Sequence, residues 1–321
     1  MRKMLLVFCL TVFCVTALAE DVAPVTQSGP VSHRFLKTGW NSQSIAIVDK
    51  KGNIEWELPM PTCMDAWYLP DNGVIYSRDR KVVRLDADKK EKWTYSFPKG
   101  FNHACQPLKD GGFLLGLSVD SDEHYAIELD KNGKETKKVK LELKDCKGHL
   151  DHVFRQFRKT SEGTYLGIVM FRNQTCEWDK NGKLIRTFPN GRFVAVRLPN
   201  GNTLISGDYK KSKDGTVTGG YLVEYDKKGK VTWELTKKDI DNLKLKISMI
   251  CGVQVLKNGN IVVTNTRHGA GYGKGDFPHV FEITRDKKKV VWQVNTDKWK
   301  NINVIQILDE KGDPHKFELL R

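Results

Sequence analysis

The cysteines of this 321-residue chain make no motif. None stands in a C-x-x-C pair and no two are adjacent, so their spacing offers no zinc site. After residue 19 no apolar run is long enough to cross a bilayer, which excludes a membrane span from the mature chain. A phosphate loop is missing as well. The stretch GAGYGKG at 269–275 lacks the Lys-Ser/Thr ending and the helix that should follow, and reads as a flexible Gly-rich loop. No motif fixes a reaction, so function has to be sought in where residues gather.

The first residues read as a leader. Arg2 and Lys3 precede an apolar run at 5–15, and Ala17-Leu18-Ala19 is a small-x-small cleavage site. Residues 1–19 therefore read as a secretory signal, with export to the periplasm or cell exterior; the alternative is an uncleaved anchor. Cys9 and Cys14 lie inside the apolar run, not at the cut. Losing the leader takes the formal charge from +14 to +12. That balance suits an acidic partner, an anionic glycan or a membrane surface, while export argues against nucleic acid. Solvated surface lysines explain the charge equally well. Cys63, Cys105, Cys146, Cys176 and Cys251 remain, and an odd number leaves at least one thiol unpaired within the chain.

Self-similarity is plain. One hairpin pattern recurs as VAVRLPNGNTLISG at 194–207, GVQVLKNGNIVVTN at 252–265, DAWYLPDNGVIYS at 65–77 and QPLKDGGFLLG at 106–116, with a looser copy at 154–168 and the last at 304–314. A second alternates with it: IAIVDKKGNIEWEL at 45–58, VVRLDADKKEKWTY at 82–95, AIELDKNGKETKKV at 126–139, CEWDKNGKLIRTF at 176–188, LVEYDKKGKVTWEL at 222–235 and VFEITRDKKKVVWQV at 280–294. Short apolar, β-branched runs around Gly-containing turns are hairpins. Two hairpins make a four-stranded sheet, which buries both faces only by stacking on its neighbours. The expected fold is all-β: a six-bladed β-propeller of four-stranded antiparallel blades over residues 44–321, preceded by an extension at 20–43. A β-sandwich would not explain hairpins alternating in phase. Because the chain begins with a second hairpin and ends with a first, its two ends should share one blade, 304–320 giving the inner two strands and 45–58 the outer two.

The second hairpin carries D-x-x-G-x-x-x-W or close to it. Asp49 is followed by Trp56, Asp86 by Trp93 and Asp226 by Trp233; Trp292 holds the same place with Arg285 at the Asp position. The Asp should brace its own turn. Over residues 45–294 this resembles the PQQ-like (quinoprotein-type) propeller repeat. The resemblance implies that Trp56, Trp93, Trp233 and Trp292 are buried between neighbouring blades, each ring covering about 150–250 Å². Lys137 and Arg186 stand where Trp is expected, so those junctions should be weaker or packed differently. Trp178 and Trp299 lie off the repeat and should matter less. True quinoproteins have eight blades and a vicinal disulfide beside the quinone, so no PQQ or other cofactor is expected.

Hairpin turns fall on one face of a propeller and the remaining loops on the other. The turn face is rich in lysine, with Lys50, Lys51, Lys131, Lys227, Lys228, Lys287 and Lys288 in or beside the second-hairpin turns. The loop face holds the candidate site, because irregular loops on a rigid scaffold carry function. His103 in NHAC and His149 and His152 in CKGHLDH precede inner strands; Arg267, His268 and Tyr272 open a Gly-rich loop. Converging His and Arg suit an anionic or carbohydrate ligand, more so below about pH 6.5 as histidines protonate. A His-dependent approach to LPNGN-type hairpins also resembles bacterial arylsulfotransferases, which pass a sulfuryl group through a channel histidine; HLDH only approximates their motif, and the chain has no room for their N-terminal domain. Three readings therefore stand: a monomeric ligand-binding propeller, a sulfuryl-transfer or other His-dependent enzyme, and a scaffold for other envelope proteins.

Overall fold

The computed structural model describes residues 23–207, 221–266 and 277–321, together with the backbone of a short strand pair, Lys210–Lys211 with Val217–Thr218. Six antiparallel sheets, each with a four-stranded core, stand radially as the blades of a propeller. Blade II runs outward through Asp65–Tyr68, Val74–Arg78, Lys81–Leu85 and Glu91–Ser96. Blade III begins at Gln106–Pro107, blade IV at Val153–Lys159, blade V at Ala195–Arg197 and blade VI at Met249–Val255, each the innermost strand of its sheet. Among the described residues no helix is long and apolar enough to cross a membrane.

Blade I closes the ring, with a different division of labour from the one expected. Only one of its strands, the innermost Val304–Ile307, comes from the C-terminal part of the chain. The other three are Phe35–Thr38, Ser44–Val48 and Ile54–Pro59. The copy at 304–314 does not return as a second strand. Its continuation reaches Pro314, which lacks an N–H and starts a short 3₁₀ turn, Pro314–Lys316. Phe35–Thr38 takes the place, with Phe35 opposite Ile307 and Thr38 opposite Val304. The ring thus takes in chain from before residue 44. Thr26–Ser28 also adds a fifth strand to the outer edge of blade VI, beside Val290–Asn295.

The core is divided among the junctions. In blade II, Trp67, Ile75 and Val82 pack toward blade III, while Ala66, Val74 and Val83 pack toward blade I. This is the period-2 alternation of a strand buried on both faces. Six such clusters occur, one at each junction.

Hydrogen bonds add direction to this packing. Trp93 Nε1 donates to the Lys131 carbonyl in the outer turn of the next blade (3.0 Å), and Trp233 Nε1 donates likewise to Arg285 (3.0 Å). A Cβ on Gly133, whose φ is +81°, would lie 2.7 Å from the Trp93 ring, so only glycine fits there. Lys137, standing where a tryptophan was expected, keeps the same bond through Nζ to the Lys180 carbonyl (3.2 Å). Arg186 turns instead to Glu177 of its own blade (3.7 Å). Asp49, Asp86 and Asp226 each accept main-chain N–H groups of their own turns at 2.8–2.9 Å.

Burial differs from the sequence expectation at five tryptophans. Trp292, on the strand that Thr26–Ser28 covers, is fully buried, whereas Trp56, Trp93 and Trp233 are half-buried. Trp178 and Trp299, set aside as off-repeat, are buried completely. Trp178 sits on a third strand against Phe154 and Phe157, with Nε1 bonded to the Glu142 carbonyl, and the Trp299 face covers Lys37. Thr284, not Arg285, fills the turn-bracing position of blade VI; its Oγ1 accepts from the N–H groups of Lys288 and Lys289. That turn is one residue longer than the others, which moves Trp292 to eight residues after its brace.

Two ionisable side chains sit at the seam. His33 lies edge-on to Trp292, with Nε2 2.8 Å from Glu282 of blade VI and Nδ1 3.3 Å from Asp309. Burial lowers its affinity for a proton, but the two carboxylates outweigh this and raise its pKa to about 9. Lys37 is wholly buried inside blade I, donating to the Ser42 and Ser44 carbonyls and to Ser44 Oγ. Burial drives its pKa down to about 6 despite Glu57 nearby.

Candidate functional site

Innermost strands of a propeller line its axis, so whatever their first residues carry is brought to one place. Here a cavity of about 280 Å³ opens at the irregular-loop end of the channel, and every blade supplies part of its wall. Trp40, Asn303 and Ile305 come from blade I, Met64 and Asp65 from blade II, and His103 from the approach to blade III. Blade IV gives His152, Arg155, Arg158 and Met170, blade V gives Phe193, and blade VI gives Met249 and Cys251.

The candidates named from sequence divide. His103 and His152 line the cavity. His149 does not; its ring stacks on Phe171 with centroids 4.8 Å apart. Arg267, His268 and Tyr272 lie outside the described residues. His103 Nε2 meets the Asp151 carbonyl at 3.0 Å and so carries the proton. Burial, reinforced by the neighbouring charge of Arg155, pushes the His103 pKa down to about 4. Its protonation therefore cannot strengthen anion binding near pH 6.5. His152 Nε2 lies 3.4 Å from Asp151 Oδ2.

The charge in the cavity is carried by arginines that the repeat pattern hid. Val153 pairs with Val169 and Phe157 with Gly167, so four steps on one strand match two on its partner. Phe154 takes a φ of +57° and buries its ring in the core, while Arg155 is turned to the cavity. Re-aiming a side chain is what such a bulge does. Arg155 Nε is buried with no hydrogen-bond partner among the described residues, and burial pulls its pKa below the ordinary guanidinium value. A second bulge, between Ile250 and Gly252, puts half-buried Cys251 into the wall. Burial raises its pKa, so it remains a thiol.

Deeper lies a compact ionic cluster. Asp65 accepts from Arg158 Nη1 through Oδ2 (2.7 Å) and from Arg321 Nη2 through Oδ1 (2.8 Å). Arg158 Nε donates to the main-chain oxygen of Arg321, and Arg321 Nη1 to the Ile305 carbonyl. Both guanidiniums lie over the Trp67 ring, at 5.2 and 3.8 Å. Burial lowers the Arg321 pKa to about 10, with Asp65 opposing. Arg158 and Arg321 thus spend their charge within the cluster, and Arg155 lines the same cavity without a carboxylate partner among the described residues.

The lysine turn face is less charged than the sequence implies. Lys50 pairs with Asp309, Lys227 with Glu162, Lys287 with Asp239 and Lys288 with Asp286. Among the described residues no three His, Cys, Asp or Glu side chains gather as a metal-binding group. The large apolar side chains left exposed among the described residues, Val31, Trp40, Phe101, Ile185 and Val231, come from separate parts of the ring.

No family model and no curated protein sequence matches the chain. Solved structures do. A Bacteroides caccae protein of unknown function matches with a TM-score of 0.73 and 23% identity, over 85% of this chain and 98% of that one. The Pan2 WD40 domain of Neurospora crassa matches at 0.50 and 9%, over 87% and 97%. Virginiamycin B lyase from Staphylococcus aureus matches at 0.45 and 11%, over 84% and 98%, too distant to carry an argument. The first two likenesses show the fold and nothing finer.

Proposed function

We propose that the protein is an exported propeller that holds a small anionic ligand at the loop end of its channel, through preformed contacts and without covalent chemistry. Arg155 carries this reading. Its side chain lines the cavity, and no carboxylate or other hydrogen-bond partner holds its guanidinium among the described residues, so its charge is left for an anion to meet. Arg158 and Arg321 lie in the same wall, already paired with Asp65. The leader at 1–19 supports export, and the turn-docking tryptophans support kinship with PQQ-like repeat propellers. Sulfuryl transfer gains no support from His103 or His149. His103 spends Nε2 on a main-chain oxygen, and His149 stacks on Phe171. A screen of sulfate, phosphate, benzoate and octanoate by thermal stabilisation tests the reading. At least one should raise the melting temperature of the wild type and not of Arg155→Gln. Equal stabilisation of both, or loss of the effect in Lys227→Gln instead, would place the site elsewhere.

A further inference from the structure

We infer that the ligand of this cavity is an amphiphilic organic anion: one carboxylate-type head on Arg155 and an apolar body against a methionine-rich wall. The inference rests on the anion site proposed above and adds the class of ligand.

The head group follows from which donors are already used. Of the three arginines in the described wall, Arg158 gives Nε and Nη1 to the Arg321 oxygen, Asp65 and the Phe157 carbonyl. Arg321 gives Nη1 and Nη2 to Ile305, Asp65 and Ala66. Arg155 is the guanidinium left with its planar fork to offer. A single fork matches one planar, bidentate anion. Inorganic phosphate or sulfate is ordinarily wrapped by several converging N–H groups, and the described wall does not converge that many.

The body follows from the remaining wall. The chain has six methionines, of which Met1 and Met4 lie in the leader and Met60 is buried between blades I and II. The other three, Met64, Met170 and Met249, all line this cavity and come from alternate blades, II, IV and VI. Trp40, 43% exposed, and Phe193 fill two of the remaining sectors. Methionine is unbranched and polarisable, and adapts to apolar groups of varied shape. A sugar would call for hydroxyl-matching polar groups in these places.

The test is calorimetric titration of the full chain with acetate, butyrate, hexanoate and octanoate, with octanamide as the uncharged twin of the last and inorganic sulfate as competitor. Affinity should climb about fourfold per methylene as the body is buried. Octanamide should bind at least about tenfold more weakly than octanoate, a comparison that needs no variant to fold. Arg155→Gln should lose octanoate. Arg155-dependent binding with a flat chain-length series, or sulfate competing on equal terms, would overturn the amphiphile and leave the anion site standing. Octanoate binding that ignores Arg155 would overturn both. Absence of octanoate binding at millimolar concentration would also overturn the amphiphile.

Discussion

Raising the pH from 6.5 to 9.5 should loosen the seam of the ring through one side chain, His33. The imidazole joins Glu282 in blade VI to Asp309, just past the innermost strand of blade I. It is 14% exposed, so solvent screens the pair weakly. Its pKa of about 9 in the folded chain lies above the ordinary 6.5. At roughly 1.4 kcal/mol per pH unit the difference is worth about 3 kcal/mol. Asp309, held down to about 2, is the other side of the same pair and is counted once. The folded value exceeds the unfolded one, so this stability is complete below pH 6.5 and is lost as the pH rises through about 9. Lys37 acts oppositely. Its pKa of about 6 lies below the unfolded value, so its burial penalty fades as the pH rises over the same window. The total profile therefore mixes two slopes, and the informative quantity is the difference between wild type and His33→Gln. Urea unfolding at pH 6.5, 7.5, 8.5 and 9.5 should show a gap of about 3 kcal/mol closing toward zero. Parallel curves would refute the clasp.

Trp292→Ala and Trp178→Ala should each cost about 3–5 kcal/mol by chemical denaturation, whereas Trp56→Ala, Trp93→Ala and Trp233→Ala, at half-buried rings, should cost about 1–2 kcal/mol; equal losses across all five would contradict the burial described. Deleting residues 304–321 removes the innermost strand of blade I and Arg321 together, and should lower the melting temperature sharply; an unchanged melting temperature would mean that the seam is held elsewhere. In the folded protein at pH 8 a thiol reagent should label Cys251 first, because Cys63, Cys105, Cys146 and Cys176 are buried and burial raises the Cys63 pKa to about 12. Labelling of Cys63 at the rate of Cys251 would count against that burial.

Hairpins separated by Gly turns are local, and both halves of the repeat could be read from period and turn chemistry. What could not be read depended on partners distant in sequence. Phe35–Thr38 has no turn signal of its own and includes a lysine, so nothing in FLKT announces a buried strand; Val304–Ile307 makes it one. Trp178 was judged by its place in the repeat, yet third-strand residues face a neighbouring blade as fully as fourth-strand ones. At the site, His103 and His152 were legible because they precede inner strands. Arg155 was not. In VFRQFRK strict alternation gives no hint that a left-handed Phe154 will break the register and redirect the next side chain. The contact of Asp65 with Arg321 spans most of the chain, and its only sequence trace is an unremarkable Asp before Ala-Trp.

The docking bonds bear on how the number of blades is specified. Blade II donates to blade III, III to IV and V to VI, in each case into the turn residue that follows the bracing Asp or Thr. A unit that gives on one side and receives on the other could be inserted once more without leaving any such donor or acceptor unmatched. These joints are therefore indifferent to copy number. The axis is not. Arg158 of blade IV reaches past blade III to Asp65 of blade II, which Arg321 ties in turn to Ile305 of blade I. In a seven-membered ring the inner strands would stand farther from the centre and those short contacts would part. The cluster at the bottom of the cavity thus works as a caliper, set to a circle of six.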